Sequence, residues 1–207
     1  MTYFGGVLQD AEAWVSNHLS HHAHTDTALD PYSVYWPYKG GIRGLWWAHM
    51  GCLCWKFTAP DRFMKSAQLQ SSVVRWEHKW HVLIVASGFA APFLIGGISG
   101  VFFRGWGWFF FYGLDAFVLT VISTVMMLHV TCFINSLGHW LGWRARDKAD
   151  RLYETDSSRD NSLLAFISFG EGNHGQHHKY PGSARIGWLD TSWPVILLFE
   201  KMGFVAF

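Results

Sequence analysis

Residues 82–101 read VLIVASGFAAPFLIGGISGV and contain no charged side chain. A helix of twenty residues is about 30 Å long, which matches the thickness of the hydrocarbon core of a membrane. We therefore predict that this stretch crosses a bilayer once as a helix. Pro92 lies within it, and a membrane helix accommodates a proline when neighbouring groups satisfy the freed carbonyl.

A second apolar run, RGWGWFFFYGLDAFVLTVISTVMMLHVTCFIN, occupies residues 104–135 and is longer than one crossing requires. Counting back about twenty residues from Asn135, the length of one crossing, places Asp115 at the far membrane interface. Trp106, Trp108 and Tyr112 then lie outside the hydrocarbon, where aromatic residues anchor helices at the interface. We predict a second membrane helix that ends near residue 134.

The composition and the distribution of charge support a membrane protein. Half of the 207 residues are hydrophobic and only 15% are charged. The formal charge of +1 gives no electrostatic reason to propose a nucleic acid partner. Only Arg104 of the 16 Lys and Arg residues lies in the connection between the two predicted crossings, so the positive-inside rule places both flanking segments in the cytoplasm. We expect cytosolic segments at 1–81, with a helix in the membrane interface, and at 135–207, on either side of two membrane helices within 82–134.

The twelve histidines are the outlier in this composition, and two clusters of them share the pattern HxxHH. The clusters are HLSHH at 18–22 and HGQHH at 174–178, and in a helix each trio falls within an arc of about 100°. Asn135 and His139 lie four residues apart, on one helix face, and add an amide and an imidazole. Seven histidines exceed one structural metal site, so we predict two metal ions. Imidazole binds iron, copper, zinc and nickel, so the ligands alone do not choose the metal.

Three segments carry a family resemblance. WVSNHLSHHAHTDTALDPYS at 14–33, CFINSLGHWLGWRARD at 132–147 and SFGEGNHGQHHKYPGSARIGW at 168–188 resemble three motifs of one family. These motifs are the second histidine box, the NSxxH segment and the third histidine box of the membrane-bound fatty acid desaturases of the acyl-CoA desaturase type. The resemblance implies an all-α integral membrane protein with four membrane helices, two of them in this chain, and a cytosolic helical cap that carries the histidine boxes.

The resemblance also implies a function. It indicates a cytosol-facing di-iron centre that uses O2 to introduce a cis double bond into a long saturated acyl chain, carried as an acyl-CoA or an acyl-lipid. Electrons would come from a b-type cytochrome or a ferredoxin. The positions that match iron ligands are His18, His21, His22, His139, His174, His177 and His178. Asn135 matches the residue that reaches iron through a water molecule.

Three further residues receive expected roles from their place in these motifs. Glu171 and Asn173 stand beside the third box and are expected to orient its imidazoles through hydrogen bonds. His49 lies in a stretch that resembles the segment which family members place along the membrane surface, where it is a candidate contact for the substrate head group.

One family motif has no counterpart in the chain. Family members carry an earlier HxxxxH box, and no histidine precedes His18 here. We therefore expect the chain to be part of a longer reading frame or a natural truncation, with one iron site weakened. Two alternatives to desaturation stay open: a related di-iron membrane hydroxylase, and a catalytically inactive truncated relative.

Overall fold

The computed structural model describes residues 9–54, 57–144 and 156–205. Within these ranges the chain forms eight α-helices and short 3₁₀ turns, and its only strand-like pairings are isolated bridges. The helices are α1 (Ala11–His24), α2 (Gly41–His49), α3 (Asp61–Met64), α4 (Ser72–Arg104), α5 (Phe109–Ser136), α6 (Ser162–Ile167), α7 (His174–Lys179) and α8 (Trp193–Lys201). The all-helical expectation is thus confirmed for the described residues.

The two long helices, α4 and α5, are each long and apolar enough to span a membrane. Only 6% of the most apolar stretch of each helix is buried within the protein, so their apolar side chains are free to face lipid. Helix α4 contains the predicted crossing at 82–101 but begins ten residues earlier. Its N-terminus is capped by the Ser71 side chain, which accepts a hydrogen bond from the Val74 N–H, and Gly105, at φ 93°, ends it.

Glycines let α4 and α5 approach each other closely. A Cβ atom at Gly96 would lie 2.5 Å from the carbonyl oxygen of Tyr112 and 2.7 Å from Cβ of Ala116. A Cβ atom at Gly100 would lie 2.7 Å from the carbonyl oxygen of Trp108. These distances are shorter than van der Waals contacts, so the helix pair requires residues without side chains here.

Contacts divide the described residues into two compact units, one from residues 9–17 and 58–129, the other from residues 18–54, 57, 130–144 and 156–205. In the first unit, the Ala11 N–H donates to Glu77 Oε2 (3.0 Å), and His78 Nδ1 lies 2.7 Å from Asp10 Oδ2. The expected interfacial helix before the first crossing is instead broken into α3, a 3₁₀ turn at Ala67–Gln70 and the start of α4. Pro60 and Ser71 delimit these pieces because they occupy the N-cap positions of α3 and α4.

In the second unit, carboxylates fix the starts of short helices. Asp160 Oδ1 accepts a hydrogen bond from the Gln176 N–H (3.1 Å) in the first turn of α7. Its backbone pairs in isolated bridges with Trp143 and Asn173. Asp190 Oδ1 accepts hydrogen bonds from the N–H groups of Ser192 and Trp193 at the start of α8. The loops between helices are therefore held by side-chain acceptors, which satisfy amides that a helix start leaves unpaired.

Candidate metal centre

The second unit brings all seven predicted histidine ligands together, and they form two groups. In the first, which we call the four-histidine group, the Nε2 atoms of consecutive members lie 3.0 to 3.2 Å apart around a closed ring. The order around the ring is His21, His139, His174 and His178. All four side chains are buried.

The remaining three imidazoles form the three-histidine group, which is only half buried. Its Nε2 atoms form a triangle, with His22 to His177 at 2.9 Å, His22 to His18 at 3.1 Å and His18 to His177 at 3.3 Å. The two groups together contain every imidazole that the HxxHH and NSxxH motifs contribute.

Each HxxHH box is divided between the two groups. His18 and His22 lie one helical turn apart on α1 and join the three-histidine group, whereas His21 joins the four-histidine group. In α7, His174 and His178 are likewise one turn apart and belong to the four-histidine group, while His177 belongs to the other. Each group thus combines residues i and i+4 from one helix with a single imidazole from the other.

The donor chemistry of both groups fits metal ions. Metal–nitrogen bonds of about 2.0–2.1 Å place four nitrogens around one ion about 2.9 to 3.4 Å apart, depending on geometry. The observed spacing within the four-histidine group, 3.0 to 3.2 Å, falls in that range. Imidazole nitrogens facing one another also need lone pairs rather than protons if they are to bind a metal.

Burial lowers the pKa values of six of these seven imidazoles. Burial, reinforced by neighbouring histidines, lowers the pKa of His22 to about 2 and that of His177 to about 4. The same causes hold the pKa values of His18, His139 and His174 well below their usual range. A neutral imidazole offers a lone pair at neutral pH, so the groups are prepared for metal without proton release from these rings.

Acidic residues behind the rings orient the four-histidine group. His21 Nδ1 lies 2.8 Å from Asp30 Oδ1, and His178 Nδ1 lies 2.8 Å from Asp156 Oδ2. A carboxylate accepts a hydrogen bond from Nδ1–H and thereby leaves Nε2 unprotonated. Burial disfavours the charge on Asp156, but its hydrogen bonds with His178 and Ser158 outweigh this and lower the pKa of the carboxyl.

His139 is oriented through a hydroxyl group. Its Nδ1 lies 2.9 Å from Ser157 Oγ, and that hydroxyl donates to Asp26 Oδ1 at 2.9 Å. The Ser157 N–H donates to the other oxygen, Asp26 Oδ2, also at 2.9 Å. Burial raises the pKa of Asp26, and the two hydrogen bonds from Ser157 act in the opposite direction.

The fourth imidazole of this group, His174, is held differently. Its Nδ1 is buried and has no hydrogen-bond partner within the described ranges. Gly138 packs against its ring, because a Cβ atom at position 138 would lie 3.0 Å from His174 Cδ2. Packing therefore fixes this ring where hydrogen bonds fix the other three.

The remaining predicted site residues are Asn135, Glu171, Asn173 and His49. Asn135 is half buried, and no hydrogen bond joins it to the histidines in the described part of the chain. The Asn173 amide donates to the Gly170 carbonyl (3.1 Å). Burial, helped by the neighbouring Asp190, raises the pKa of Glu171 to about 7. His49 Nδ1 lies 3.2 Å from Ser136 Oγ. The roles assigned to these four residues stay predictions.

Sequence reasoning missed the residues that orient the rings. Asp30 follows His21 by nine residues, and Ser157 follows His139 by eighteen, so helical periodicity cannot connect them. The nearest signal is TDTALDP at 25–31, a turn segment with two aspartates directly after the first HxxHH box. Asp26 has φ 65°, a left-handed conformation that aspartate adopts more readily than most residues.

These features define the class of the protein: it is all-helical in its described parts, with two helices suited to a membrane and two histidine groups suited to metal. The family profile for fatty acid desaturases matches residues 1–189. The chain belongs to the fatty acid desaturase family.

Similar proteins are named as acyl-lipid desaturases and as acyl-CoA desaturases. The chain is 30% identical to the sn-2 palmitoyl-lipid 9-desaturase of Nostoc sp. (strain 36), a match that covers 92% of this chain and 60% of that protein. It is 33% identical to a probable acyl-CoA desaturase of Schizosaccharomyces pombe, a match that covers 90% of this chain and 35% of that protein. It is 31% identical to the sn-1 stearoyl-lipid 9-desaturase of Anabaena variabilis, and this match covers 96% of this chain and 64% of that protein. The chain thus spans between about one third and two thirds of the length of these relatives.

Proposed function

We propose that this chain carries the metal centre of a fatty acyl desaturase, which introduces a cis double bond into a long saturated acyl chain. The observation that carries the proposal is the convergence of seven imidazoles, from three separate segments, into two groups with Nε2 spacings of 2.9 to 3.3 Å. Membership of the desaturase family supports it, as do the acyl desaturations for which the relatives are named.

Two iron ions are the proposed cofactor. His21, His139, His174 and His178 would hold one ion, and His18, His22 and His177 would hold the other. Two bound irons would supply the redox capacity to reduce O2, which imidazole ligands alone lack. Asn135 is the proposed contact through water to this centre, and Glu171 and Asn173 are the proposed outer residues of the third box.

The overall reaction balances with an external source of electrons. Two C–H bonds on adjacent methylenes break and one C=C bond forms, which releases two hydrogen atoms. These atoms, together with two electrons and two protons, reduce O2 to two molecules of water. A b-type cytochrome or a ferredoxin is the proposed electron donor, and an acyl-CoA or acyl-lipid is the proposed substrate.

The residues around the histidine groups orient the imidazoles and exclude water from the four-histidine group. Asp30 and Asp156 hold His21 and His178 with Nε2 facing inward. Burial of the four-histidine group keeps water away from its rings, which strengthens the hydrogen bonds behind them. His49 is the proposed contact for the substrate head group.

The proposed location is a membrane, with the histidine groups facing the cytoplasm. The two apolar helices support membrane association, and the position of Arg104 as the only basic residue between positions 82 and 135 supports the orientation. Both HxxHH boxes would then lie on one side because two crossings separate them.

The decisive experiment is lipid analysis. The complete reading frame that encodes this chain is expressed in a host without desaturases of its own, and its fatty acids are analysed as methyl esters. We expect unsaturated products from the unaltered gene and none from the His174→Ala variant. A hydroxylated acyl chain would favour the related hydroxylase, and an unchanged lipid profile with the protein present in the membrane would favour an inactive relative.

A further inference from the structure

Asp26, Ser157 and His139 form a chain of hydrogen bonds that ends at the four-histidine group. His139 Nδ1 lies 2.9 Å from Ser157 Oγ, while its Nε2 lies 3.2 Å from that of His21 and 3.0 Å from that of His174. Ser157 donates two hydrogen bonds to Asp26, from its hydroxyl to Oδ1 and from its backbone N–H to Oδ2. Asp26 itself does not touch the histidines in these contacts.

The direction of these hydrogen bonds follows from the donors available. A carboxylate only accepts, so the single hydrogen of the Ser157 hydroxyl is committed to Asp26. The Ser157 oxygen can then only accept from His139, and the hydrogen between them must be on Nδ1. A neutral imidazole carries one N–H, so Nε2 of His139 keeps its lone pair toward the group.

We propose that Asp26 is a positioning residue that selects the tautomer of His139, acting through the Ser157 hydroxyl, so that Nε2 is available to a metal ion. This inference rests on the proposed function, because it assigns Asp26 a role toward the metal that the histidines would bind. Asp26 also donates its backbone N–H to Asp30 Oδ2 (2.9 Å), whose other oxygen faces His21 Nδ1. One turn residue thereby supports ligands from two segments of the chain.

The variant Asp26→Asn reverses the hydrogen bonds without changing the shape of the side chain. The Ser157 N–H can only donate, so the amide oxygen of asparagine must face it. The amide NH2 then faces Ser157 Oγ and donates to it, which frees the hydroxyl hydrogen to donate to His139 Nδ1. His139 would be driven to carry its proton on Nε2, where metal must bind. Asparagine also tolerates the left-handed backbone at this position, where φ is 65°.

Ser157→Ala has a milder consequence. It removes the acceptor from His139 Nδ1 but imposes no tautomer, because alanine neither donates nor accepts through its side chain. In a Ser157→Ala background, Asp26→Asn has no hydroxyl through which to act. The tautomer mechanism therefore predicts that the double variant binds metal as the Ser157→Ala variant does.

The test is titration of the purified full chain, in detergent and free of metal, with Co²⁺, monitored by its visible absorption when bound. We expect Asp26→Asn to weaken binding by about 10- to 100-fold, the range seen when outer partners of metal-binding histidines are lost. Ser157→Ala should weaken it less, and the double variant should match Ser157→Ala. Asp61→Asn, at an exposed aspartate paired with Lys65, is the matched control and should bind as the unaltered chain does.

A second readout needs no metal. In protein with ¹⁵N-labelled histidine, the ring nitrogens of His139, assigned by loss of their signals in His139→Gln, should show the proton on Nδ1. In Asp26→Asn they should show it on Nε2. Far-ultraviolet circular dichroism of each variant verifies that the helices are retained.

The outcomes separate this inference from the proposed function. The inference is overturned if the unaltered chain and Asp26→Asn bind Co²⁺ equally. It is also overturned if adding Asp26→Asn to Ser157→Ala weakens Co²⁺ binding as much as Asp26→Asn weakens it in the otherwise unaltered chain. If the unaltered chain binds no Co²⁺ while the proton of His139 still moves in Asp26→Asn, the metal centre is overturned and the role of Asp26 stands.

Discussion

His21 and His22 are adjacent in the chain, yet their Nε2 atoms belong to different imidazole groups. Helical geometry explains this division, because residues one apart on a helix point about 100° away from each other. The sequence predicts that each HxxHH trio shares one face of a helix. It does not predict which member meets which imidazole, because that depends on how α1 and α7 approach each other, and no local periodicity records it.

The division gives a prediction for single histidines. His21→Ala should weaken binding at the four-histidine group, and His22→Ala should weaken binding at the three-histidine group, because each removes one donor from one group. Metal content by mass spectrometry, with Co²⁺ titration of each variant, measures the outcome. His24→Ala is the control, since His24 is outside both groups. Loss of both bound metal equivalents in either single variant would contradict two separate binding groups.

At the scale of elements, α4 and α5 follow from the sequence more directly than the histidine loops do. A long uncharged run admits few structures other than a helix, because every backbone group in lipid must be satisfied within the segment. The start of α4 does not follow from hydropathy, because residues 72–81 mix charged, aromatic and aliphatic side chains and yet belong to the same helix. Loop contacts such as Asp26 with Ser157 join residues 131 apart and leave no local pattern.

The packing of the helix pair gives a prediction at this scale. Gly96→Ala should destabilise the protein by about 1–3 kcal/mol, because its Cβ atom would meet the Tyr112 carbonyl and Ala116 at less than contact distance. Unfolding in a denaturing detergent, followed by loss of helical signal, measures the change. Gly107→Ala is the control, since a Cβ atom there meets nothing within 4 Å. Equal stability of the two variants would exclude this close packing.

For the whole molecule, the neutral imidazoles make stability depend on pH. Histidines whose pKa is lowered in the folded state still protonate near pH 6.5 in the unfolded chain, so acid favours unfolding. Each such group costs up to about 1.4 kcal/mol per pH unit below 6.5, and the cost is absent above that pH. We expect the metal-free protein to lose stability steeply between about pH 6.5 and 5, measured by unfolding at several pH values.

A single variant tests whether the histidine groups cause this loss of stability at low pH. His177→Gln removes one group whose pKa is lowered to about 4, so the variant should show a shallower decline in stability below pH 6.5. A decline that is unchanged in this variant, or one that begins above pH 7, would assign the effect to other groups.

The proposed orientation predicts which cysteines a reagent can reach from each side. Cys54 is exposed, whereas Cys52 and Cys132 are buried, and all three are free thiols. In intact cells, a membrane-impermeant maleimide should label Gly107→Cys, in the connection between α4 and α5, and should label Cys54 only after the membrane is opened. Labelling of Cys54 in intact cells would contradict the proposed orientation.

Within the described residues, His174 Nδ1 has no hydrogen-bond partner, which bears on how fast a proposed metal ion would exchange. Three donors of the four-histidine group are anchored from behind, by Asp30, Asp156 and Ser157, whereas His174 is held by packing against Gly138. In the language of coordination chemistry, an ion held by this group would have three anchored ligands and one hemilabile ligand. Dissociation of an ion is therefore expected to begin with rotation of the His174 ring, and a hydrogen-bond acceptor placed beside its Nδ1 would slow release of the metal.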